Sequence, residues 1–179
     1  MVADIEALSA ELTDGEVRME LFADRHVEPL RAACAEDPDI WQIMPRSLLG
    51  EHFDAEITNR RSGNGVLFAA CQDERVVGTT AYLRPDAQEG VLELGGTYIA
   101  PSVRGTGYNA RMKRLLIDHA FACGFRRIEF RIDERNARSQ AAVLKLGAKR
   151  EGLLRQDRVT WTGHLRNTCI FGLLREDWN

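Results

Sequence analysis

Chemistry is easiest to read in the hexapeptide Arg104-Gly105-Thr106-Gly107-Tyr108-Asn109. It follows an apolar run, Val91–Ile99, closed by Ala100-Pro101, and precedes Met112, Leu115, Leu116, His119, Ala120 and Cys123, which recur at helical spacing. Glycines placed where a helix begins let several backbone N–H groups converge on one point, and the positive end of the helix dipole reinforces them. The guest such a loop suits is a phosphate or pyrophosphate. Charge points the same way: residues 104–150 hold twelve Lys and Arg against four Asp and Glu, inside a chain of net charge −3. A basic segment in an acidic protein suits a small polyanion, whereas a nucleic-acid surface would make the whole domain basic.

The spacing Gly105-x-Gly107-x-x-Ala110 also satisfies a dinucleotide fingerprint, with Asp133 or Glu134 beyond the next strand as a ribose-binding acid. That reading needs repeated strand–helix units, but the first half of the chain reads as antiparallel strands. A nucleotide-hydrolysing loop needs Gly-Lys-Ser/Thr after the glycines, which is absent. The third reading is an acyl-coenzyme A site.

The elements that must position the loop follow from periodicity. A polar leader, residues 1–15, is expected to be mobile. Strands are expected at Val17–Leu21, Val66–Cys71 and Arg75–Tyr82, the last two as a hairpin around Gln72-Asp73-Glu74. Helices are expected after Asp24, over Leu48 to Arg60, after the glycine loop, and after Asn136 or Asp133, with Gly147 ending the last. Ile128–Ile132 returns as a strand beside the central one, and Ala148–Arg158 and Asn167–Leu174 close the chain as a hairpin around Trp161, which is placed either to cover a pocket or to pack a turn. The fold class is therefore α/β with a mixed, mostly antiparallel sheet, one strand–helix–strand crossover and a C-terminal hairpin, in a single domain spanning 1–179.

Composition sets the outer limits. A 44% hydrophobic, 28% charged chain of 179 residues is that of a soluble globular domain. No apolar run is long enough to span a bilayer and no signal-peptide pattern opens the sequence, so no membrane partner is expected. Cys34, Cys71, Cys123 and Cys169 lack metal-ligand spacing and fit buried thiols in a reducing cytoplasm. No metal site is expected, the four histidines lacking companions, and no cysteine stands where a covalent acyl intermediate needs one.

Glu93 to Leu174 resembles the GNAT N-acetyltransferases, and within them the RimJ/RimL-like group that acetylates ribosomal-protein N-termini. The resemblance rests on Arg104-Gly-Thr-Gly-Tyr-Asn109, Leu115-Leu116, His119-Ala-Phe121, Arg127, Asp133-Glu-Arg-Asn136-Ala-Arg-Ser139, Leu146-Gly147-Ala148, Glu151-Gly152-Leu-Leu-Arg155 and Leu173-Leu174-Arg-Glu176-Asp-Trp178. It implies the GNAT fold and acetyl-CoA as co-substrate. It implies direct transfer of acetyl to a primary amine, either a protein N-terminal α-amine or a small molecule, and dimers are common among look-alikes. A coenzyme-binding module without turnover is the rival from another class.

The resemblance also implies site residues. Tyr98, Ile99 and Ala100 would line the pantetheine, and Val103, Arg104, Gly105, Thr106, Gly107, Tyr108 and Asn109 would meet the phosphates. Gly95-Gly96 fits a bulge beside the thioester. Glu93 is the candidate base, acting through water. Ser139 would protonate the leaving thiolate, because Val143 stands where many members carry a tyrosine, and Asn136 would bond pantetheine or cap the helix. An α-amine of pKa about 7.7–8.0 asks far less of a base than a lysine near 10.4. The gap is worth about 3.5 kcal/mol.

Overall fold

The computed structural model describes residues 2–178. Eight strands form one sheet: β1 (Leu12–Asp14), β2 (Val17–Leu21), β3 (Val66–Gln72), β4 (Arg75–Asp86), β5 (Val91–Ile99), β6 (Arg127–Asp133), β7 (Lys149–Val159) and β8 (Leu165–Leu174), in the spatial order β1-β2-β3-β4-β5-β6-β8-β7. All neighbours pair antiparallel except β5 and β6, which are parallel and joined through α3 (Tyr108–Ala122). This is the mixed sheet with one crossover that the sequence leads one to expect.

The helices α1 (Val27–Ala35), α2 (Phe53–Ser62) and α4 (Ala137–Lys145) complete the fold. Two buried tyrosines show which faces they cover. The Tyr98 hydroxyl donates to the Ala33 carbonyl of α1 at 2.6 Å, and the Tyr82 hydroxyl to the Leu116 carbonyl of α3 at 2.6 Å. Tyr98 pairs with Thr79, three residues from Tyr82 along β4. Strand side chains alternate, so α1 and α3 lie on opposite faces.

The leader expected to be mobile is packed in this structure. Leu8 is fully buried, Leu12–Asp14 adds an edge strand, and the Asp4 amide donates to the Cys123 carbonyl at 2.8 Å. His119, on the exposed rim of α3, meets the Ala7 carbonyl through Nε2 at 2.9 Å. A few apolar residues, too sparse for a periodicity, hold the segment. The helix after Asp24 opens with a short 3-10 turn, Asp24–His26, in which His26 Nδ1 rather than Asp24 accepts from the backbone, taking the Ala23 amide at 3.0 Å. Trp161 packs: its Nε1 donates to the Trp41 carbonyl at 2.7 Å, and its ring lies 5.1 Å from that of His52. The β7–β8 turn is thereby fastened to the 3-10 segment Pro38–Ile43 and to Pro45, whose carbonyl takes the Trp161 amide.

Candidate active site

The β5–β6 pairing is short. Registers exist only for Val91, Leu92 and Glu93 against Arg127, Ile128 and Glu129, after which the two strands part. A strand that leaves its neighbour exposes a row of backbone N–H and C=O groups, which an extended ligand can pair with. The gap opens into a cavity of about 620 Å³ lined by both strands, α2, the first turns of α3, the length of α4, and β7–β8.

Within the gap β5 carries a bulge. Tyr98 pairs with Thr79 and Gly95 with Ala81, so Gly96 and Thr97 face the single residue Thr80. Gly96 has φ of +63°, a left-handed conformation that favours glycine. The bulge expected at Gly95-Gly96 lies one residue further on, at Gly96-Thr97, because Gly95 keeps its pair with Ala81, and it is held from both faces. From α2, Arg60 Nη1 donates to the Gly96 carbonyl at 3.0 Å while its Nε binds Glu56 at 2.8 Å. From α3, Lys113 Nζ donates to Thr97 Oγ1 at 2.8 Å, and Thr97 Oγ1 meets Thr80 Oγ1 at 2.8 Å. Fixing an irregular strand this firmly pre-positions its unpaired groups.

The glycine loop lies past the end of β5. Arg104 clamps that end: its Nε and Nη2 donate to the Ile99 carbonyl at 3.0 and 2.9 Å, and Nη1 pairs with Asp37. The Val103 and Arg104 amides donate to Ala100 and Pro101, and the Tyr108 amide to Thr106 Oγ1 at 3.3 Å. Among the described residues the amides of Gly105, Thr106 and Gly107 have no protein acceptor, and all three residues are exposed. Gly105 and Gly107 have φ of +77° and +89°, and a Cβ on either would meet nothing within 4 Å, so the space before them is open. Three free donors at the start of a fifteen-residue helix have the geometry and the dipole that suit an anion.

The remaining residues named from the sequence divide by position. Glu93, Tyr98, Ile99, Arg104, Gly105, Asn109, Asn136 and Ser139 line the cavity. Ala100, Val103 and Tyr108 are buried, the Tyr108 hydroxyl donating to the Cys71 carbonyl at 2.9 Å. The Tyr98 ring is likewise committed to the core, stacked 5.0 Å from Trp41, which leaves its backbone to the gap region. Glu93 lies over the bulge, since a Cβ on Gly95 would come within 2.8 Å of its Oε1, and it pairs with Arg84. Asn136 caps α4, its Oδ1 accepting the Ser139 amide at 3.0 Å. Val143 is buried.

Lys113 is the residue that sequence reading passed over. It is 6% exposed, and burial lowers its pKa to about 7, against which the Glu93 charge pulls upward. Its signal was available: Lys113 precedes Leu116 by three and Ile117 by four, on the buried stripe of α3. Across the gap, Asp133 is 3% exposed; burial works to raise its pKa, and the Arg135 side chain and amide overcome this, leaving it lowered.

A splayed parallel pair, a bulge beside it and a free-amide loop at the next helix define the acyl-coenzyme A fold, and comparison with known proteins agrees. The acetyltransferase (GNAT) domain model matches residues 16–149, so the chain belongs to the GNAT acetyltransferase family. A Chromobacterium violaceum protein assigned to the GNAT family superposes with TM-score 0.92 at 27% identity, covering 99% of this chain and 92% of that one. Mycobacterium smegmatis RimJ, solved in complex with CoA-disulfide, gives TM-score 0.79 at 17% identity over 94% and 87% of the two chains. The microcin C7 self-immunity acetyltransferase MccE, solved with acetyl-CoA and AMP, gives 0.79 at 14% over 90% and 93%. At these last two identities the likeness is one of fold.

Proposed function

We propose that this acetyltransferase binds acetyl-CoA with its diphosphate on the Gly105–Gly107 amides and its pantetheine along the open edge of β5, and passes the acetyl group directly to a neutral primary amine. The observation that carries this reading is the alignment of the free-amide loop with the parting of β5 from β6. The coenzyme complexes of RimJ and MccE support it by fold.

In this reading the unpaired bulge at Gly96-Thr97 offers a backbone donor to the oxyanion that forms when the amine attacks the thioester carbonyl. Glu93, over the same bulge, takes the amine proton through a water. Ser139, which lines the cavity, returns a proton to the departing thiolate. Holding both reactants in line supplies the rest. A protein α-amine is the acceptor that the RimJ/RimL resemblance favours. A small amine is the second reading, favoured by arginines that line the cavity beside the gap, Arg131, Arg158 and Arg166. A cytoplasmic location is part of the proposal, supported by four unpaired cysteines, three of them buried.

Thiol release from acetyl-CoA, followed against peptides with free N-termini and against small amines, tests the proposal. Acceptor-dependent release supports transfer. Tight coenzyme binding with no release for any acceptor would favour a binding module instead.

A further inference from the structure

Register alone gathers a second set of residues beside the bulge. Glu93 lies opposite Glu129 in the parallel pair, and Arg131 follows two residues later on the same face. Asp133 opposes Thr168 on β8, which puts Arg166 on that face, and Arg166 opposes Arg158 on β7. All three arginines line the cavity.

Their donors are largely unused. A guanidinium carries five N–H groups and no acceptor. Among the described residues, the hydrogen bond these three make is from Arg166 Nη2 to the Arg131 carbonyl at 3.1 Å. The Nε atoms of Arg131, Arg158 and Arg166 are each buried without a partner, and Arg166 as a whole is only 3% exposed. Buried donors are almost always satisfied, and a charged one left bare is expensive.

The neighbouring carboxylates do not answer the need. Asp133 is 3.8 Å from Arg166 Nε and gives both oxygens to Arg135. Asp157 is 3.5 Å from Arg158 Nε and accepts the Thr168 hydroxyl at 2.6 Å. Glu129 is 4.0 Å from Arg131 and binds Arg127 at 3.1 Å. Glu93, on the same face, is paired with Arg84.

Clustered guanidiniums with free edges match the paired oxygens of a carboxylate or a phosphate. We propose that Arg131, Arg158 and Arg166 form a subsite for an anionic group carried by the amine acceptor, which decides between the two acceptor readings in favour of the second, a small amine bearing a carboxylate or phosphate. The inference rests on the acetyltransferase reading for its amine, and on the orphaned donors for its anion. Arg131 is two residues beyond Glu129, which opposes Glu93, so a bound anion holds a short acceptor with its amine turned toward Glu93 and the thioester.

Calorimetry on the free and the coenzyme A-loaded protein separates the parts. The probes are α-amino acids from glycine to phenylalanine with their carboxamides, and phosphoethanolamine with ethanolamine. Wild type should bind the anionic member of a pair roughly 10- to 100-fold more tightly than its neutral partner. Whichever pair shows the preference tells carboxylate from phosphate. Arg158→Gln and Arg131→Gln, at partly exposed positions that tolerate the change, should bring that ratio close to one, and Arg158→Lys should keep part of it. Arg166→Gln is read only alongside a melting curve. No preference in wild type, no binding of any probe, or a preference unaltered by the substitutions would overturn the subsite. An anion preference lost in the variants, with no thiol release from acetyl-CoA, would keep the subsite and remove the transfer reaction instead.

Discussion

Lys113→Met is the substitution whose effect the structure specifies most sharply. The lysine is buried under the bulge with a folded pKa of about 7, against an unfolded value near 10.4. Between those values the unfolded chain holds a proton that the folded chain does not, so stability rises with pH through that window. Below about pH 7 both states are protonated and the contribution is flat. The slope near pH 8 is about 1.2 kcal/mol per unit, and the gain from pH 7 to 9 about 2 kcal/mol. At pH 7 the charge mismatch costs the folded wild type about 4 kcal/mol. Methionine removes it, at a loss of about 1 kcal/mol for the Lys113–Thr97 hydrogen bond. Thr97 keeps its contact with Thr80. The variant should therefore be about 3 kcal/mol more stable than wild type at pH 7, with the advantage shrinking as pH rises. Urea unfolding of both proteins at pH 7, 8 and 9 measures this. Cys34 and Cys71, whose thiols burial raises to about 12 and about 11, make both proteins lose stability above about pH 8.5, and that contribution cancels in the difference. A difference independent of pH would refute the assignment of a near-neutral Lys113.

Two further substitutions address the chemistry. Ser139→Ala should lower kcat about 10- to 100-fold while acetyl-CoA affinity changes less than about threefold, because its cap bond uses the Ser139 amide and survives; wild-type turnover would remove its role. Gly107→Trp should abolish measurable acetyl-CoA binding, since the indole fills the open space before the loop. It should cost about 1–2 kcal/mol of stability through the left-handed φ, and unchanged affinity in the folded variant would contradict the loop assignment.

What could be read from the sequence tracks how local each signal is. β5 and the glycine loop were legible because an apolar run, a Pro and two glycines act within one short stretch, Val91 to Gly107. Gly147 was readable as the end of α4, where its φ is +91°. Lys113 was missed because a lysine among arginines reads as a solvated face, and only its place on the α3 stripe argues otherwise. The arginine cluster was beyond reach for another reason. Arg131 follows from strand alternation, but Arg158 and Arg166 are brought to it by the β6–β8–β7 order and by a hairpin whose register shifts twice, at Arg150/Gly152 and at Leu154/Arg158. Spacing along the chain does not encode those shifts. Similarly, Glu93 was expected as a base acting through water, but its pairing with Arg84 was not, because Arg84 adopts a positive φ that no pattern announces.

A crystal structure with coenzyme A bound tests the central claim most directly. The diphosphate should lie within hydrogen-bonding distance of the Gly105, Thr106 and Gly107 amides, with the sulfur in the gap between Gly96 and Arg131. A diphosphate bound elsewhere, or a coenzyme whose sulfur points away from the parting of β5 and β6, would contradict it.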